Sequence, residues 1–144
     1  MARFLNDNDY KKQVQAWIKN LIQTDANVLE DAELAAQVEM ETYLNNRFDI
    51  TAIFSTTQPE EERNRLIVLY LVDITLYHLF TNISPDMIPE LREKRYKAAI
   101  QWCKDVAKGY ISPLLPERDA DDVENIPMFK HGGNQKYNSP DSRY

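Results

Sequence analysis

Between Arg65 and Phe80 the chain reads RLIVLYLVDITLYHLF, and through Val72 no side of a helical wheel is polar. A helix that is apolar all round must be covered all round, in a protein core or in a membrane. The run falls short of the ~20 residues that span a bilayer, and Asp73 interrupts it. It is therefore expected to be the buried central helix of a bundle.

The flanking patterns are one-sided. Tyr10, Val14, Trp17, Ile18 and Leu21 recur at helical spacing behind the polar cluster Asn6–Asp9, which offers a cap. Thr24-Asp25 breaks that stripe. A second helix is expected from about Asn27 to Asn46. Leu29, Ala36, Met40, Tyr43 and Leu44 share one arc, Arg47 projects onto it, and Glu30, Glu33, Glu39 and Glu41 fall mostly off it. The stretch from Phe48 to Phe54 is apolar but short and reads as a tight connection. Ser55 to Pro59 reads as a loop, with Thr57 as a cap and Glu60-Glu61-Glu62 in the favourable first turn. Asn82-Ile83-Ser84-Pro85 ends the central helix. A fourth begins at Pro89, where proline is tolerated, and runs to Lys108. Leu91, Ala98, Ala99, Trp102 and Val106 define its apolar arc, with Arg92 and Arg95 inside the same arc. Gly109 follows as a left-handed cap.

Glycine occurs only at 109, 132 and 133, which disfavours a many-turned β fold. The expected fold class is all-α: a compact bundle of about four main helices over residues 1–109. Residues 110–144 carry Pro113, Pro116, Pro127 and Pro140 and the acidic run Glu117–Glu124. Such a segment cannot build its own core. It is expected to be an extended, largely irregular C-terminal arm. Its spaced anchors include Ile111, Leu114, Ile126, Met128, Phe129, Tyr137 and Tyr144, and these suit docking along another subunit.

A chain of 144 residues fits one domain. Its net charge of −6 argues against broad phosphate binding, though an acidic surface would let DNA slide past without sticking. The single Cys103 excludes an internal disulfide and a cysteine metal cluster. No apolar segment of signal type stands at the N-terminus, so a cytosolic product is expected.

The candidate chemistry is sparse. Asp73 and His78, five residues apart on one helix, diverge; Asp73 and Tyr77 are better aligned. A buried aspartate needs a partner, and Arg92, Arg95 and Arg47 are the candidates for a structural ion-pair network. No Cys, Ser or second His stands near His78 to complete a triad. His131 is isolated, too little for a metal site, and Gly132-Gly133-Asn134 lacks the Lys-Ser/Thr of a phosphate loop. Cys103 beside Trp102 reads as a small buried hydrophobe. The expectation is no catalytic, metal or cofactor site. Two competing readings are an enzyme using Asp73, Tyr77 and His78, and a helical regulatory module that binds a partner helix.

Several short strings carry a resemblance. They are Arg3-Phe4-Leu5 with Asp9-Tyr10, Tyr43-Leu44 with Arg47-Phe48-Asp49, Leu71-Val72-Asp73-Ile74 with Leu76-Tyr77-His78-Leu79, and Ile88-Pro89-Glu90-Leu91-Arg92 with Arg95-Tyr96, Ala99-Ile100 and Trp102. From about Met1 to Pro116 the chain resembles the small head–tail connector (neck) proteins of Mu-like tailed phages. The resemblance implies an all-helical adaptor that assembles as a ring of its own copies, a dodecamer, beneath the portal protein. It implies tail or neck proteins below, genomic DNA passing through without sequence-specific binding, and no membrane. It also implies a place in the virion neck after assembly in the host bacterial cytoplasm. The acidic stretch from Glu117 to Asn125 departs from the family pattern.

Overall fold

A computed structural model describes residues 3–11 and 26–119. Its elements are α1 (Asp7–Lys11), α2 (Ala26–Leu44), the single turn α3 (Ile50–Ile53), a 3-10 turn (Glu60–Glu62), α4 (Arg65–Ile83) and α5 (Glu90–Lys108). The fold is all-α. Among the described residues the only β pairing is one isolated antiparallel bridge, Phe48 with Glu117. Of the first apolar stripe only Tyr10 is described, buried in α1; Val14, Trp17, Ile18 and Leu21 lie outside the described residues.

α4 is the central element, packed against both α2 and α5. Ile67, Val72, Ile74, Thr75 and Leu76 are completely buried. Its all-round apolarity is not matched by all-round burial, since Leu66 in the first turn is exposed. The helix also runs past Phe80 to Ile83, 19 residues in all. Length and composition alone would therefore let it cross a bilayer. What argues for a core helix is its packing, not its shortness.

The cap is Asn64, not Thr57. The Asn64 side-chain oxygen accepts from the backbone N–H groups of Leu66 and Ile67, as an N-cap should. Thr57 instead shares a hydrogen bond with the Ser55 hydroxyl. Arg63 has extended backbone, so the three glutamates form a separate 3-10 turn rather than the first turn of α4. The Phe48–Phe54 connection likewise contains a helical turn. The Asp49 side chain caps it through the Ala52 N–H, and Phe48, Ile53 and Phe54 enter the core.

α5 starts directly after Pro89 and ends at Gly109, whose φ of 84° is left-handed. The N–H groups of Gly109 and Tyr110 close the helix on the carbonyls of Val106 and Asp105. Ala99, Trp102 and Val106 are buried as expected, but Leu91 and Ala98 are exposed. The helix is rolled so that Arg92, Ile100 and Cys103 face inward. That roll brings Arg92 to a buried carboxylate, described below.

α4 and α5 run antiparallel. Tyr70 meets Trp102 at one level and Tyr77 meets Tyr96 at the other. α2 runs in the same direction as α5, since Glu39 reaches Tyr96 and Arg47, just past α2, reaches Val106. Ala32, Ala36, Met40 and Leu44 form its buried stripe. Small residues at 32 and 36 allow close approach, while Met40 and Leu44 fill the centre.

Past Gly109 the chain turns back onto its own bundle. Asp49 N–H donates to the Pro116 carbonyl, and Arg118 donates to the carbonyls of Arg47 and Asn45. Residues 115–118 are thus tied to the turn after α2. The anchors Ile126, Met128, Phe129, Tyr137 and Tyr144 lie outside the described residues.

Candidate functional site

Asp73 projects from α4 toward α5 and is only 2% exposed. Arg95 Nε donates to its Oδ1 at 2.8 Å, and Arg92 Nη1 stands 3.8 Å from the same oxygen. The Arg92 Nη1 is buried without a hydrogen-bond partner. Burial pulls the Arg92 guanidinium below its usual range, Asp73 opposes that, and Arg95 adds to it. The carboxylate therefore supplies the counter-charge for the buried Arg92 and the half-exposed Arg95.

Arg47 is not part of this network. Its Nη1 donates to the Val106 carbonyl at 2.6 Å and the Ile111 carbonyl at 3.3 Å, and its guanidinium lies over the Phe48 ring. It thus serves the C-terminal end of α5, where unpaired carbonyls favour a cation. The apolar arc of α2 does point Arg47 inward, but toward the end of α5 rather than its middle.

His78 looks away from Asp73, toward α2. Its Nε2 is 2.9 Å from Glu39 Oε1, and Glu39 Oε2 accepts from the Tyr96 hydroxyl at 2.8 Å. The Tyr77 ring stacks flat on Tyr96, 4.0 Å between centroids. Burial, reinforced by the Glu39 hydrogen bond, pushes the Tyr96 phenol above its ordinary range. Asp73, Tyr77 and His78 therefore do not converge on one space. They join α4 to two different helices.

Two more clamps hold the N-terminal segment. Arg3 grips Glu33 with both Nε and Nη2, at 2.9 and 2.8 Å, and the Tyr10 hydroxyl donates to the same carboxylate. Burial, then the Glu33 charge, pushes the Tyr10 phenol far up. Arg63 grips Asp9 at 2.8 and 3.0 Å and donates to the Phe4 carbonyl. Glu33 is legible in hindsight. It stands seven residues before Met40 and eleven before Leu44, hence on the apolar arc rather than off it. Glu39 sits at the arc's edge, and nothing in the sequence marks its two partners.

Among the described residues, no group of His, Cys, Asp and Glu side chains is placed to hold a metal ion. His131 and Gly132–Asn134 lie outside them. Cys103 is completely buried, and burial pushes its thiol up to about 12, which leaves almost no thiolate at neutral pH. A cleft of about 440 Å³ opens between Asp9, Glu60, Arg63, Arg65, Val68 and Leu69, but its buried charges are already engaged with each other.

The surface is more informative than the clefts. A shallow groove runs along the outer face of α2, lined by Asp31, Leu34, Ala35 and Val38, with Glu39 and His78 at its rim. Leu34 is 62% and Val38 53% exposed. Met87, Leu91, Tyr110 and Leu114 are also uncovered, Leu114 almost wholly. Contiguous exposed apolar side chains mark surfaces that meet other macromolecules.

The comparisons with known proteins agree in kind. A family model described as Bacteriophage Mu, Gp36 matches residues 5–129. No curated protein and no solved structure gives a match. The matched span covers all the described helices and, apart from Arg3 and Phe4, the residues that clamp them together, far more than half the chain. Such membership brings association with a virion and a bacterial host. A bundle whose buried charges clamp helix to helix, and whose outer faces carry uncovered apolar side chains, fits a structural part. The chain belongs to the bacteriophage Mu Gp36 family and is a structural or morphogenesis protein of a Mu-like phage.

Proposed function

We propose that the chain is a head–tail connector, an adaptor that joins capsid to tail without catalysing any reaction. Copies of it assemble as a ring, a dodecamer, under the portal protein in the virion neck. Tail or neck proteins lie below, and genomic DNA passes through the ring. The observation that carries this reading is the division of labour among side chains. The buried charges Asp9, Glu33, Arg63, Asp73 and Arg92 all face opposite charges inside the bundle, while Leu34, Val38, Leu91 and Leu114 stand uncovered. Rigid inside and adhesive outside suits assembly. A net charge of −6 suits a passage for DNA, because clustered cations would hold the phosphates.

The C-terminal arm supplies further contacts in this reading. Ile126, Met128, Phe129, Tyr137 and Tyr144 dock on the next subunit or on the portal or tail component beside it. Extended over a neighbour, the arm gains affinity through backbone hydrogen bonds and side-chain pockets, against the cost of its ordering. Deleting residues 126–144 tests it. The truncated chain should keep its helical circular dichroism, while phage lysates complemented with it should contain heads without attached tails. Infectious particles built with the truncated chain would refute the arm's role. Absence of the full-length chain from purified virions would refute the connector reading and favour a helix-binding regulatory module.

A further inference from the structure

We propose that the outer face of α2 in one copy docks on the outer face of α5 in the next, and that this repeating contact builds the oligomer. The inference rests on the ring reading above and specifies the surfaces that make it.

α2 carries five acidic residues and no basic one between Ala26 and Leu44. Its uncovered stripe runs Asp31, Leu34, Val38. Leu34 and Val38 each precede a completely buried residue, Ala36 and Met40, by two positions. At 3.6 residues per turn that sets them roughly 160° around the helix, pointing straight away from the core. α5 offers the complement. Leu91, Lys94 and Ala98 follow at i, i+3 and i+7, all exposed. Leu91 is 57% exposed, and among the described residues Lys94 makes an exposed pair with Glu90 four residues back. Exposed pairs of that kind are worth little and exchange partners readily.

The two faces also point in different directions. Tyr96 marks the side of α5 that meets α2, through Glu39. Leu91 and Ala98 stand about 140° and 160° around the helix from Tyr96. Each copy therefore presents the α2 stripe on one flank and the α5 stripe on a flank turned away from α2. Opposed, non-identical faces make a heterologous contact, which closes into a ring when its rotation permits. A two-fold contact of α2 on α2 would instead set Asp31 and its acidic neighbours against their own copies, which is repulsive. Pairing α2 with α5 sets aliphatic against aliphatic and Lys94 among carboxylates.

The test places Val38→Cys and Ala98→Cys in the full-length chain, singly and together, and treats each with a bismaleimide crosslinker. Cys103 is buried and should stay silent. The double variant should give a ladder of covalent multimers. Each single variant alone should give none, and an equal mixture of the two singles should stop at dimers. A second arm exchanges charge: Asp31→Lys and Lys94→Glu should each lower the multimer fraction, and the two together should restore it. Self-crosslinking of the Val38→Cys variant alone would overturn the proposal in favour of a two-fold contact. An uncrosslinked double variant that still sediments as a multimer would overturn these surfaces and leave the ring standing. A wild-type chain that sediments only as a monomer would remove both.

Discussion

Asp73 shows how much one residue can decide in this bundle. Its carboxylate faces both Arg92 and Arg95, so Asp73→Ala should leave the buried Arg92 guanidinium without its counter-charge and cost on the order of 3–5 kcal/mol in urea unfolding. An unchanged midpoint would contradict the role assigned to the pair. Three other residues set the response to alkali. Tyr10, Tyr96 and Cys103 all hold their protons more tightly when folded than in the open chain. The folded state then binds more protons than the unfolded one as pH climbs past the ordinary thiol and phenol range, so stability must fall there. The thermal midpoint should be flat near neutrality and drop from about pH 9 upward. Tyr10→Phe should flatten that drop, and an equally steep decline in the variant would contradict the assignment. The Asp73 cluster was legible because charges inside an apolar arc must find each other. The Glu39–His78–Tyr96 link was not, because residues at the edge of an arc can turn to solvent or to a neighbour with equal ease.

At the scale of elements, the long helices follow from periodicity and the breakers Pro85, Pro89 and Gly109. Their ends depend on single side chains. Asn64→Ala removes the acceptor for two N–H groups of α4 and should cost ~1 kcal/mol. Gly109→Ala meets no neighbour within 4 Å, so its cost of roughly 1–2 kcal/mol would come from the left-handed backbone alone. Differential scanning calorimetry on the two variants checks both, and a larger loss at Gly109 would point to packing there. α3 was illegible because four residues are too few to show a period. The Thr57 cap was misplaced because a run of glutamates after a proline resembles a first turn, whereas extended Arg63 sets that run apart from α4. On α5, pattern alone favoured Leu91 inside, but the need of Asp73 for Arg92 rolled the helix the other way.

At the scale of the molecule, the all-α class followed from the scarcity of glycine and the helical stripes. The partners could not follow, because a side chain left exposed in one copy looks the same whether it is solvated or waiting for a neighbour. Burial in the folded chain separates the cases only partly: it marks Leu34, Val38 and Leu91 as uncovered and leaves the neighbour to be found. Residues 115–118 of the C-terminal arm are tied to their own bundle, while Tyr110 and Leu114 just before them stand exposed. The most direct measurement is the mass of the purified full-length chain across a wide concentration range, by light scattering coupled to size exclusion. The expected result is one discrete species of high mass, a whole multiple of 16.9 kDa, as a closed ring requires. A species of 16.9 kDa at every concentration, or a dimer that grows no further, would contradict it.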